Sequence, residues 1–439
     1  MRFLFLTFIL FNLFAEADTS SMTSKIKVEK SIEKLLANIH PEGTVSGIVV
    51  ASPSKNDPGY FFHWARDAAL VMNTVFDLLI RENDPLKKNT YLTLLKEYAL
   101  REKSYQDKST FFQLGEPKYN VDGELFTGPW GRPQHDGPGL RSITLIRLAN
   151  YLLDQGEEKF VREHLYSPTL PAFSVIKRDL EYVARKWNEV GFDYWEEIKG
   201  LHFSTAMSHR KALLLGSELA KRLNDSGAAD FYQENAKKVK DLIQKFWNSS
   251  ESFIAATINQ QGGFYKSHLD VSVILGVLHS SLDDDFYSVD SVQVLQTALK
   301  LEQSFKKIYT INHGSKGVAI GRYPEDTYDG YKTDKRGNPW FLATFAMAEY
   351  YLKLAARVDD GEMTKNKLDE IAALLGLDDT HGLYLYLRSK AYNFIEKADY
   401  HAALDGSMSE QMNRENGYMQ GARDLTWSYA SHISMTLAL

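Results

Sequence analysis

The chain of 439 residues is 44% hydrophobic and 13% aromatic and carries a formal net charge of −6, so it has material for a large core but no basic field to hold a polyanion. Nucleic acid is excluded as a partner on that ground. The absence of cysteine excludes thiol catalysis and disulfide stapling.

In chain order, Met1-Arg2 is followed by an apolar run to Phe14 and by Ala15-Glu16-Ala17. One positive charge, a short apolar stretch and a small-residue A-x-A site make a secretory signal peptide over residues 1–17, too short to span a bilayer comfortably. The expectation is an exported protein beginning at Asp18, secreted or, in a Gram-negative host, periplasmic. No later stretch is long enough to cross a membrane.

Helical spacing of apolar residues follows almost throughout. It predicts helices over 29–38, from Arg66 to Leu78 (Ala68, Val71, Val75, Leu78), and over 86–102. Further helices are predicted from Pro138 to Leu152, over 172–189, from Phe203 to Ala220, and over 228–246, 289–305, 338–357, 364–375, 383–396 and 424–437. The best candidate strand is Ser46–Ala51. Between the helices lie loops rich in Gly, Pro, Asp and aromatics, at 52–63, 114–139, 191–203, 258–270, 312–337 and 398–421; long loops on a rigid scaffold are where binding residues tend to sit. Loop after helix pair suggests α-hairpins in a ring, and with no linker or repeat visible, residues 18–439 read as one domain.

The loops carry the chemistry. The first holds Tyr60-Phe61-Phe62-His63-Trp64-Ala65-Arg66-Asp67, where Asp67 stands at a helix start and could equally serve as a cap. Next comes Trp130-Gly131-Arg132-Pro133-Gln134-His135-Asp136-Gly137-Pro138, whose Trp130 could stack on a sugar face or be a structural core residue. Asp193-Tyr194-Trp195-Glu196-Glu197 sets two carboxylates among aromatics. Gly321-Arg322-Tyr323-Pro324-Glu325-Asp326 offers a guanidinium fork, Gly337-Asn338-Pro339-Trp340 opens a helix, and Ser409-Glu410-Gln411 is followed by Ala422-Arg423-Asp424-Leu425-Thr426-Trp427-Ser428-Tyr429. Carboxylates among Trp and Tyr suit a site that grips a sugar by its apolar faces and moves protons at its oxygens. Asp283-Asp284-Asp285 lacks the alternating pattern of a calcium loop and reads as a solvated turn; no metal and no cofactor is expected.

Taken together, these five collinear segments, from Tyr60 to Tyr429, resemble the glucoamylase family, glycoside hydrolase family 15. The resemblance implies an all-α (α/α)6 barrel, a six-hairpin toroid, with its site in the loops at one end. It also implies an exo-acting, inverting enzyme that releases β-D-glucose from the non-reducing ends of α-1,4-linked starch, glycogen or maltooligosaccharides, and more slowly from α-1,6 links. Carried across by motif, the general acid would be Glu196 and the general base Glu410, with Tyr60, Arg66, Asp67, Trp130, Tyr194, Trp195, Glu197, Arg322 and Trp340 binding substrate. Tyr194 stands where Leu is common in the family, and His135 where Asn or Arg is. The acid must hold its proton until substrate arrives, which Trp195 and the negative charge of Glu197 would favour, and Glu410 must stay ionised. A monomer acting on an α-glucan is expected, with no starch-binding module after Tyr429. The alternatives are a related barrel acting on trehalose, isomalto-oligosaccharide or dextran, and a non-catalytic glycan-binding barrel.

Overall fold

Six helices bury side chains on nearly every face, whereas six others bury a single stripe, and this difference sorts the chain into two concentric layers. The computed structural model describes residues 25–108, 110–282 and 284–439; the expected signal segment lies outside them. The buried set is α2 (Ala65–Arg81), α4 (Asp136–Asp154), α6 (Phe203–Arg222), α8 (Ser272–Ser280), α10 (Phe341–Asp359) and α13 (Thr426–Thr436). Each packs on the next in that order, and α13 returns to α2, so the ring closes. The outer set is α1 (Val28–Ala37) on α13, α3 (Pro85–Gln106) on α2, α5 (Val175–Lys186) on α4, α7 (Ser226–Ile243) on α6, α9 (Val292–Ile308) on α8 and α12 (Leu383–His401) on α10. A short α11 (Lys365–Leu374) packs on α9. This is the (α/α)6 barrel.

Two expectations are corrected. Helix α8 was not predicted, because Val273, Ile274, Leu275 and Val277 are buried on all sides and leave no stripe to read. The segment Ser46–Ala51 is not a strand. Ser46 and Gly47 form a turn, Gly47 at φ 79°, and the rest divides its hydrogen bonds among several partners, with Ile48 accepting from His40, Val50 donating to Asn38 and Ala51 donating to Phe62, so no ladder forms.

The strands that do form are short and brace the loops. They are β1 (His63–Trp64) with β2 (Lys118–Tyr119), a three-stranded sheet of β3 (Gly191–Phe192), β4 (Lys199–His202) and β7 (Thr257–Gln261), β5 (Trp247–Asn248) with β6 (Phe253–Ile254), and β8 (Gln411–Met412) with β9 (Met419–Gln420). Beneath them, His63, Glu102, Arg141 and Asp179 form a buried network. Arg141 forks onto Asp179 at 2.7 and 2.6 Å and reaches Glu102 at 2.5 Å, while His63 bonds Glu102 at 2.7 Å. The backbone N–H of Val49 donates to His63 Nδ1, so the ring proton sits on Nε2, facing Glu102. This network fixes the entry to α2, where the site begins.

Candidate active site

Every segment singled out by its carboxylates and aromatics enters the N-terminus of an inner helix. Arg66 and Asp67 open α2, Gln134 and Asp136 open α4, the Glu196 turn precedes α6, Asp270 precedes α8, Arg322 and Trp340 precede α10, and Glu410 precedes α13. Side chains distant in sequence therefore converge at one end of the ring.

Residues Asp193–Glu197 form the hairpin turn between β3 and β4. Asp193 Oδ1 accepts from the backbone N–H groups of Glu197 (2.7 Å) and Ile198 (3.0 Å), which closes the turn. Glu196 takes the left-handed conformation at φ 65°, uncommon for a non-glycine residue. One oxygen of its carboxyl accepts from Trp64 Nε1 and from Gln134 Nε2, each at 2.9 Å, and Arg66 lies 3.8 Å away. The other oxygen makes no hydrogen bond among the described residues. Glu197 is held quite differently: Lys266 (2.7 Å), Arg322 (2.8 Å) and the Tyr323 hydroxyl (2.6 Å) all bind its carboxylate. Its charge is thus balanced by cations, and the Trp195 N–H donates to Asp270. The side chains that hydrogen-bond Glu196 are Trp64 and Gln134, with Arg66 nearby.

Arg66 is buried and also donates to Gln134 and Asp136, each at 3.1 Å, with Asp67 at 3.3 Å. The N-cap position of α2 is Trp64, whose side chain does not cap, and Asp67 stands in the first turn of the helix. Burial pushes the Asp67 carboxyl up to about 6, against the opposing pull of Arg66, and its Oδ2 makes no hydrogen bond among the described residues. An acceptor of this kind suits a sugar hydroxyl.

Across the mouth, Glu410 has no exposed surface, and its Oε1 makes no hydrogen bond among the described residues. Burial pushes this carboxyl up to about 8, outweighing Tyr60, Arg322 and the backbone at Ala422, which favour the anion. The structure thus departs from the expectation of a carboxylate that is simply ionised. Tyr60 shares a 2.9 Å hydrogen bond with Tyr328, and its ring stands 5.7 Å from that of Trp64. An aromatic bridge therefore spans the pocket from Glu196 to Glu410, and no hydrogen bond joins the two carboxyls among the described residues.

The remaining residues divide between rim and wall. Trp130 is 37% exposed, its ring 5.9 Å from Trp64. Tyr194 is buried under Arg66, 5.4 Å from ring centre to guanidinium. Trp195 and Trp340 lie tilted against each other, ring centres 5.8 Å apart, and with Tyr323 and Tyr328 enclose the Arg322 guanidinium, which is also bound to Asp326 at 2.8 and 2.6 Å. Tyr194, Trp195 and Trp340 turn their faces to these cations. His135 is buried against the Tyr182 hydroxyl at 2.8 Å.

Sequence reasoning passed over Trp64, Gln134 and Asp136, although they stand inside segments it had picked out. Lys118, Lys266, Asp270 and Tyr328 lie outside any motif and gave no signal. Asp284 and Asp285 are exposed, as expected of a solvated turn, and Asp284 also pairs with Arg210; Asp283 lies outside the described residues. Among the described residues, no group of three or more His, Asp or Glu side chains could hold a metal ion.

Residues 29–437 match the family model described as Glycosyl hydrolases family 15. The chain is similar to Glucoamylase 1 of Rhizopus oryzae, 38% identical over 440 residues that span 95% of this chain and 71% of that protein. It is likewise similar to a glucoamylase of Blastobotrys adeninivorans, at 36% identity with the same two shares. Among solved structures, it superposes on the family 15 glucoamylase from Hypocrea jecorina with a TM-score of 0.83 at 32% identity, covering 93% of this chain and 70% of that one. The glucoamylase from Saccharomycopsis fibuligera gives 0.83 at 29%, covering 95% and 97%.

Proposed function

This chain belongs to glycosyl hydrolase family 15 and is a glycoside hydrolase, and on that premise we propose that it removes single glucose units from the non-reducing ends of α-1,4-linked glucans with inversion, releasing β-D-glucose. α-1,6 links are cleaved more slowly. The observation that carries the reading is the unequal treatment of Glu196's two oxygens: Trp64 and Gln134 fix one, and the other is free to present a proton.

Cleavage of an acetal needs that proton on the departing oxygen and, for inversion, a water on the opposite face, with about 6.5–9.5 Å between the two carboxyls. Glu196 is the acid and Glu410 the base. The unbonded Oε1 of Glu410 takes the water's proton, with Tyr60 beside it to orient that water. Burial favours the protonated Glu410, so ionisation depends on the positive charge that develops on the sugar ring in the transition state and on Arg322. Arg66 and Asp67 grip the terminal glucose through charged hydrogen bonds, Glu197 and Arg322 complete the subsite, and Trp130 offers a face at the rim. Tyr194, Trp195 and Trp340 keep the two guanidinium groups in place.

The site is compatible with export, which rests on residues 1–17; among the described residues no helix is long and apolar enough to cross a membrane. The test is glucose release from maltotriose by Glu196→Gln and Glu410→Gln, each expected to lose roughly a hundredfold or more. Parent-level turnover in either variant contradicts the assignment. Parallel assays on maltose, isomaltose, trehalose and dextran separate this reading from a barrel enzyme of another linkage preference.

A further inference from the structure

Lys118 is a buried cation without an anion. It is 2% exposed on β2, directly opposite Trp64 in the β1–β2 register. Its ammonium lies 3.7 Å from the ring centre of Trp130, 4.0 Å from Phe62, 4.3 Å from Phe126 and 4.4 Å from Trp64. It makes no hydrogen bond or ion pair among the described residues. Lysines this deep are nearly always paired with a carboxylate, and burial here pushes the ammonium down to about 8 while the charge of Glu196 acts in the opposite direction. Four aromatic faces replace a counter-ion through their quadrupoles.

The cage is unexplained by folding alone, since an apolar side chain would fill the same space without the cost of burying charge. Trp64 supplies the link to chemistry. Its ring face carries the Lys118 ammonium and its Nε1–H donates to Glu196 at 2.9 Å. A cation over an indole draws electron density from the ring and makes the N–H a stronger donor, and a stronger donor favours the carboxylate over the carboxylic acid.

The other charges facing Glu196 are already engaged. Arg66, 3.8 Å away, is shared with Asp67 and Asp136, and Glu197 in the same turn is bound by Lys266 and Arg322. Arg132, near Lys118, is paired with Glu116. Lys118 is therefore the cation in this group whose field is not cancelled by a carboxylate of its own.

We infer that Lys118 is a positioning residue which, through the polarised indole of Trp64, stabilises the anion that Glu196 becomes as it gives its proton to the departing sugar. The inference rests on Glu196 being the acid. Stabilisation of this kind grows as the proton leaves, so it belongs to the transition state and acts on kcat more than on KM.

The experiment compares Lys118→Met, Lys118→Gln and Lys118→Arg with the parent and with Glu196→Gln, measuring pH profiles of kcat and kcat/KM for glucose release from maltotriose, and Tm. Methionine has similar length and packs well on aromatic rings, so Lys118→Met is expected to fold with a Tm at or above the parent's; Lys118→Gln is a second neutral variant should it not. Both neutral variants are expected to lose about tenfold in kcat with KM within about twofold. Lys118→Arg, which keeps the charge and stacks on aromatic faces, is expected to restore kcat toward the parent's. Parental kcat in both neutral variants overturns the inference, as does a rise in KM at constant kcat, which would make Lys118 a sugar contact. If Glu196→Gln is inactive while the neutral variants keep the parental kcat and KM, only the role of Lys118 fails. If Glu196→Gln itself stays active, the acid assignment fails and takes this inference with it.

Discussion

A carboxyl with no exposed surface and one oxygen without a hydrogen bond is a burden on the folded state, and Glu410 is such a group. Folded, it holds its proton up to about 8; in the unfolded chain a glutamate releases it near about 4.3. The folded state therefore binds the extra proton between these limits. The stability this group contributes is whole below about pH 4 and is lost as pH rises toward about 8. Glu410→Gln, which keeps the shape without the charge, should for that reason be more stable than the parent, by roughly 1–4 °C in Tm. The gap should widen from pH 4.5 to pH 8, measured by thermal unfolding at both. A gap that stays constant or narrows contradicts the burial argument. Glu197 is the counter-example, a carboxylate whose three donors leave it no comparable penalty.

At the scale of elements, the loops and short strands that aim these side chains depend on a few close approaches. Gly421, at φ 74°, lies so near Glu410 that a Cβ there would meet its carboxylate, whereas Gly361, at φ 76°, has nothing nearby. Alanine at either position costs about 1–2 kcal/mol of left-handed strain. Only Gly421→Ala should also lose activity, which kcat and Tm measured on both variants will show; equal activity in the two would contradict the close approach. The helices were largely legible in the sequence because an outer helix shows a one-sided stripe, as Ile176, Leu180 and Val183 do on α5. Where burial is complete the stripe vanishes, and α8 was missed. Glu196 and Glu410 could be read because each sits in a dense segment of acids and aromatics. Lys266 could not, since its partner Glu197 is 69 residues away and nothing local marks it. Lys118 was hidden in the same way, opposite a Trp64 that lies far from it along the chain.

At the scale of the molecule, the site exists only because the ring closes. The first and last helices among the described residues meet where α1 packs on α13, with Asn38 donating to Thr426 at 2.9 Å and Ser31 bonded to His432 at 2.9 Å. Opening that seam would carry the Glu410 loop away from the Glu196 turn. Leu35, fully buried on α1, is thus expected to matter beyond its own helix. Leu35→Ala should cost about 2–5 kcal/mol, and helical circular dichroism and activity should be lost together in one thermal transition. Activity that survives an early, separate transition would show that closure is not required. The account as a whole holds that an acid on one wall and a base on the other flank the terminal glucose of an α-glucan, with water entering opposite the departing sugar. Proton NMR of the first glucose released from maltotriose tests this most directly: the account predicts the β-anomer appearing first and mutarotating later, and initial release of the α-anomer would contradict it.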